Sequence, residues 1–284
     1  MFTASSAPRS LLPSWLGGAS WQQPGVAPTS RWMPVAGLLA ACVAVVFAVA
    51  APAGVRLDDR AAAASLLLFA IAPLGLASLS WLRDRSFRAR DLLIAGVAGL
   101  LAIAGGPFAV VSSALCVAAS LALLRSRALS FPWFHWLQRR TPGAGLLRAL
   151  ITAAVVTIVL LLLSSRERTP APGADEILLA LSSGVSQEAG WRLFGYVAAI
   201  YLMGGVPRTR MQRAWCLALM IVPQVLLYTL ARVVAGSWSG LALEGAIVAV
   251  VYVAPMALLL RRFGVVPAVV CHLLVDAVRF AALA

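Results

Sequence analysis

Histidine is almost missing from this chain. Only His135 and His272 occur, far apart, which excludes a zinc site built from several imidazoles. Cysteine is sparse and unpaired: Cys42, Cys116, Cys216 and Cys271 each sit inside an apolar run, which predicts buried free thiols and supports neither a disulfide framework nor a zinc ribbon. No metal and no cofactor are expected. Lysine does not occur at all, so the 23 basic residues are all arginine, and ten acidic residues leave a formal charge of +13. The arginines fall between apolar runs, where they orient a membrane protein, so a nucleic-acid surface is not expected. Alternating ten-residue strands are lacking too, which removes a transmembrane barrel. No period of 20 to 50 residues repeats, and no inverted pair of broken helices is visible, which weakens a transporter or channel reading.

What the chain has in abundance is apolar length. Hydrophobic residues make up 62% of 284, the mean hydropathy is +0.93, and several runs reach the roughly 20 residues that cross a bilayer core. The expected fold is all-α, a polytopic transmembrane bundle of about nine spans. These lie near 34–55, 61–82, two short spans within 92–124, then 147–164, 177–202, 214–235, 240–260 and 265–282. The run 92–124 is too long for one upright span, and Gly105-Gly106-Pro107 predicts a tight hairpin in its middle; eight spans result if no turn forms there.

Nine spans with the amino end inside place sixteen arginines on the cytoplasmic side and four outside, as the positive-inside rule prefers. The expected setting is integral to the bacterial inner (cell) membrane, with the amino terminus cytoplasmic and the lipid bilayer as first partner. Residues 1–31, rich in Pro, Gly and Ser, lack an apolar run of signal-peptide length and are expected to be a flexible tail. An amino-terminal scaffold follows over 32–165. It includes an interfacial stretch at 125–148 whose basic and aromatic mix puts His135 at the level of water or headgroups. A carboxy-terminal core covers 177–284.

That core carries nearly all the ionisable groups expected inside the membrane: Glu188 and Arg192, Arg232, Glu244, then His272, Asp276 and Arg279. Charges in hydrocarbon are rare and usually functional. Three acids facing three arginines can also form a neutral network that ties helices together. Glu188 and Arg192, Tyr228 and Arg232, and His272 and Asp276 are each four apart, so each helix presents one polar stripe. At about 1.5 Å of rise per residue, Glu188 and His272 lie at matched depth, roughly 16 Å below the outer surface, where they can meet. Gly184, Ser186, Ala189 and Gly190 allow close helix approach, and Pro223 kinks the seventh span below Tyr228.

Gln187-Glu188-Ala189-Gly190-Trp191-Arg192 resembles the Glu-Glu-x-x-x-Arg motif of the CAAX protease and bacteriocin-processing (CPBP, or Abi) family of intramembrane proteases. Tyr228 to Arg232 falls where that family carries Phe-x-x-x-His, and His272 to Asp276 is similar to its closing His-x-x-x-Asn, preceded by Val266-Pro267-Ala268. The resemblance covers about the last 110 residues. It implies a peptidase site in which the first Glu and the His of the second motif activate water, while the final His and Asn stabilise the oxyanion. Gln187 and Arg232 occupy the two activating positions here. A carboxamide takes no proton near neutral pH, and a guanidinium cannot act as a base. Asp276, in place of Asn, repels an oxyanion unless it is protonated or paired with Arg232 or Arg192.

The expectation is therefore a pseudoprotease that binds a membrane peptide or protein partner, with an Arg232–Asp276 ion pair in the former water site. Its rivals are an active endopeptidase using Glu188 or Glu244 with His272, a transporter or channel, and a purely structural subunit. An ideal α-helix turns Glu188 about 100° away from Gln187, so the two are expected to point in different directions.

Overall fold

The computed structural model describes residues 32–50, 71–84, 88–126, 142–163, 174–234 and 241–283, together with Leu68 and Leu129. Every element among them is helical. Helices α1 (Met33–Ala50), α2 (Ala72–Asp84), α3 (Ala89–Leu101), α4 (Gly106–Arg125) and α5 (Pro142–Leu163) form the first half. In the second half, α6 (Ala174–Gly184) runs through a π segment (Val185–Arg192) into α7 (Leu193–Met203), and α8 spans Arg210–Val234. Then α9 (Leu241–Ile247) passes through a second π segment (Val248–Val253) into α10 (Ala254–Phe263), and α11 (Val265–Leu283) closes the chain. Four stretches, Ile103–Arg125, Gly143–Leu162, Arg210–Thr229 and Leu243–Phe263, are long and apolar enough to cross a bilayer.

Only a helix satisfies its own backbone where no water is available, and the side-chain pattern fits that constraint. Large apolar side chains point outward, with Leu82 and Leu93 each 71% exposed and Leu162 80%. The core is centred on α7, buried almost throughout from Leu193 to Ile200 and wrapped by α4, α8 and α1. Gly195 lets α8 come close: a Cβ there would lie 3.2 Å from the carbonyl oxygen of Leu219. That carbonyl is the one Pro223, lacking an N–H, leaves without its helical donor. At the start of α8, Trp215 stacks on Trp32 at 5.7 Å, joining it to the beginning of α1.

The hairpin expected at Gly105-Gly106-Pro107 forms. A short 3₁₀ turn, Ile103–Gly105, separates α3 from α4, and Gly106 takes φ 85°, open to glycine without strain. The two helices fold back so closely that a Cβ on Gly99 would lie 3.0 Å from the carbonyl oxygen of Val110. Ser182 of α6 holds the tip: its hydroxyl accepts from the Gly105 N–H at 2.8 Å and donates to the Ala102 carbonyl at 2.7 Å.

At the open end, Asp91 and Arg125 form an ion pair at 2.6 Å, with Asp91 fully buried. This pair adds buried charge to the first half, whereas nearly all of it was expected in the second. The two residues border loops in sequence, and only the folded hairpin brings them together. A second difference lies at α5, which begins at Pro142 and so takes the end of the 125–148 interfacial stretch, Arg148 included, into a helix. Proline suits a first helical position, where its missing N–H has no intrahelical partner anyway. The tail 1–31 and His135 lie outside the described residues.

Candidate functional site

The polar residues of the second half converge where the first π segment meets α8, α11 and the second π segment. Glu188, Arg192 and His272 are completely buried. Glu188 Oε1 pairs with the Arg192 guanidinium one turn along and lies 2.7 Å from His272 Nδ1. An ionised carboxylate only accepts, so Nδ1 carries the proton of that bond. On the other edge of the ring, Tyr252 Oη is 2.7 Å from His272 Nε2 and 3.0 Å from Asp276 Oδ1. Asp276 Oδ2 is itself 3.3 Å from Nε2. A single hydroxyl proton therefore lies between two acceptors. Tyr252 also meets His272 edge to face, with ring centroids 5.2 Å apart.

Gln187 belongs to the same cluster. Its Nε2 donates to Ser183 Oγ at 2.8 Å, and Ser183 Oγ is 3.4 Å from His272 Nε2. Its Oε1 accepts from Tyr228 Oη at 3.0 Å and from the side-chain amide of Gln224. The backbone between Val185 and Arg192 is a π-helix, whose i to i+5 bonding widens the turn. The two neighbours still face different partners, Gln187 toward Ser183, Gln224 and Tyr228 on the cavity side and Glu188 toward Arg192 and His272.

Glu188, Arg192, His272 and Asp276 are thus brought together, with Gln187 joined to them through Ser183, and the carboxylate in contact with His272 is Glu188. Glu244 lies on α9, half-buried. Arg232 is on α8, but its side chain, and with it the expected Arg232–Asp276 pair, lies outside the described residues. Asp276 is engaged by His272 and Tyr252. Ser183, Gln224 and Tyr252 had not been singled out. Two of them carried a signal: Ser183 precedes Gln187 by four residues and Gln224 precedes Tyr228 by four, the same stripe spacing as the residues that were.

Beside the cluster, a cavity of about 320 Å³ opens between α4, the first π segment and α8. Phe108, Ala109, Cys116, Trp191 and Leu227 give it apolar walls, and Ser112, Ser186, Gln187, Gln224 and Tyr228 supply polar groups. Glu188 and His272 are not part of that wall. Among the described residues, no group of three or more His, Cys, Asp or Glu side chains could hold a metal ion, and all four cysteines are buried free thiols. No known protein family, curated protein or solved structure matches this chain.

Proposed function

We propose that the chain is an integral membrane protein of nine spans, amino terminus cytoplasmic, whose last four spans are a CPBP-like peptidase core without its water-activating pair. In this view it binds a membrane peptide or partner in the cavity between α4 and α8. The observation that carries the proposal is the position of Gln187. The resemblance expects a carboxylate there; a carboxamide stands in its place on the cavity wall, both ends held by hydrogen bonds. Glu188 and His272 are buried and off that wall, so water in the cavity does not meet them. The volume and the apolar lining with a few convergent polar groups suit a side chain or a short peptide segment.

One observation favours a second reading, an active endopeptidase. Glu188 and His272 form an acid–imidazole pair at 2.7 Å, the geometry of a general base with its orienting group.

Both are tested with the full chain in liposomes, a photocrosslinking residue in place of Phe108, and a panel of single-span peptides. Adducts at 108, absent when the crosslinker replaces the outward-facing Leu162, together with intact peptides support the binding protein. Cleavage that disappears in His272→Ala and Glu188→Ala would establish the endopeptidase. No adduct and no cleavage would remove both readings.

A further inference from the structure

A second cavity, of about 630 Å³, lies away from the polar cluster, between α5 and α10. Arg148 and Arg262 flank it, both exposed, their guanidinium carbons 5.5 and 5.7 Å from the centroid of the same Phe263 ring. The ring is fixed in place: a Cβ on Gly145 would sit 3.3 Å from Phe263 Cβ and 3.1 Å from Pro267 Cγ, so no larger residue fits behind it. Each guanidinium gains from the face of the ring. Two cations on one ring nevertheless repel each other, and the ion pairs seen among the described residues, Asp91 with Arg125, Glu188 with Arg192, and His272 with Glu188 and Asp276, include neither. An anion seated between them would relieve that repulsion.

The surroundings indicate which anion fits. Beside the arginines, Leu147, Ile151 and Leu258 are half or more exposed and continue the apolar outer surface of the bundle. A ligand seated here needs negative charge at one end and hydrocarbon along the rest. Basic pockets between membrane helices take anionic headgroups in this way. We propose that this cavity seats an anionic phospholipid, its phosphodiester on Arg148 and Arg262 and its acyl chains against Leu147, Ile151 and Leu258. An acidic peptide would gain nothing from those exposed leucine and isoleucine side chains.

The test uses the full-length chain, delipidated in a neutral detergent and titrated with short-chain phosphatidylglycerol, with bound lipid counted by native mass spectrometry. Phosphatidylcholine of the same chain length, inorganic phosphate and polyglutamate are titrated in parallel. Phosphatidylglycerol is expected to bind at least about tenfold more tightly than any of the three. Losing both arginines in R148Q/R262Q weakens it about 30-fold, at roughly one decade or less per surface cation. R88Q/R90Q, which removes the same charge elsewhere, leaves it within about threefold. Equal losses in the two double variants would reduce the effect to general surface charge and overturn the site. Equally tight inorganic phosphate or polyglutamate would overturn the lipid assignment. If R148Q/R262Q does not fold, Thr152→Trp, which fills the cavity and keeps both charges, must abolish the phosphatidylglycerol preference for the proposal to stand.

Discussion

Glu188→Gln replaces one oxygen with an amide nitrogen at the centre of the polar cluster, and its cost follows from the contacts there. Arg192 is completely buried and its counter-charge is Glu188. Removing one partner of a buried pair costs about 3–5 kcal/mol, because the remaining charge is left in a medium that does not solvate it. The hydrogen bond from His272 Nδ1 survives on the remaining oxygen, so it adds little to that sum. Against a total stability of about 5–15 kcal/mol, the loss is about a fifth or more. The reverse exchange next door, Gln187→Glu, behaves differently. Tyr228 and Gln224 already donate to Gln187, and the Ser183 hydroxyl can turn its proton to do the same. The side chain also borders the cavity, so the expected cost is at most about 2 kcal/mol. Equilibrium unfolding in mixed micelles, followed by tryptophan fluorescence, measures both. Glu188→Gln costing under about 1 kcal/mol, or less than Gln187→Glu, would refute the assignment of Glu188 as the group that neutralises Arg192.

Two further substitutions probe single hydroxyls. Ser182→Ala takes one hydrogen bond from each of the Gly105 N–H and the Ala102 carbonyl, which keep their mutual 3.1 Å bond, a loss of about 1–2 kcal/mol that appears as faster amide exchange confined to the hairpin tip. Unchanged exchange there would mean that the serine adds nothing to the bond the tip already makes within itself. Tyr252→Phe keeps the ring against His272 but removes the proton shared between Nε2 and Asp276, so the nitrogen-15 shift of Nε2 should move while that of Nδ1, bonded to Glu188, stays. Equal movement of both would show that the two edges of the imidazole are not held independently.

The spacing of charges in the second half was legible because long apolar helices leave few places for them. Glu188, His272 and Asp276 announced themselves by standing in apolar runs, and four-residue spacing correctly put Arg192 beside Glu188 and Asp276 beside His272. Tyr252 was not legible, since a tyrosine in an apolar run reads as packing; its role comes from the π segment that presents its hydroxyl to His272. The same kind of backbone irregularity carries Gln187 and Glu188, and nothing in the residues 185–192 marks a widened turn. The Gly-Gly-Pro hairpin was readable from its breakers, whereas the Asp91–Arg125 pair depends on which residues the closed hairpin sets opposite each other.

The hairpin sets an order on biogenesis. Helix α3 has 13 residues, about 20 Å, well short of the roughly 30 Å hydrocarbon layer, so it is not a self-sufficient insertion unit. The serine that caps its tip is 77 residues downstream of Gly105. At translation speeds of about 5–20 residues per second, the ribosome adds that serine about 4–15 s later. Until then the hairpin's apex relies on the single 3.1 Å bond from the Gly105 N–H to the Ala102 carbonyl. A transcript truncated before codon 182 would yield a scaffold whose first hairpin never docks, a substrate for membrane quality control.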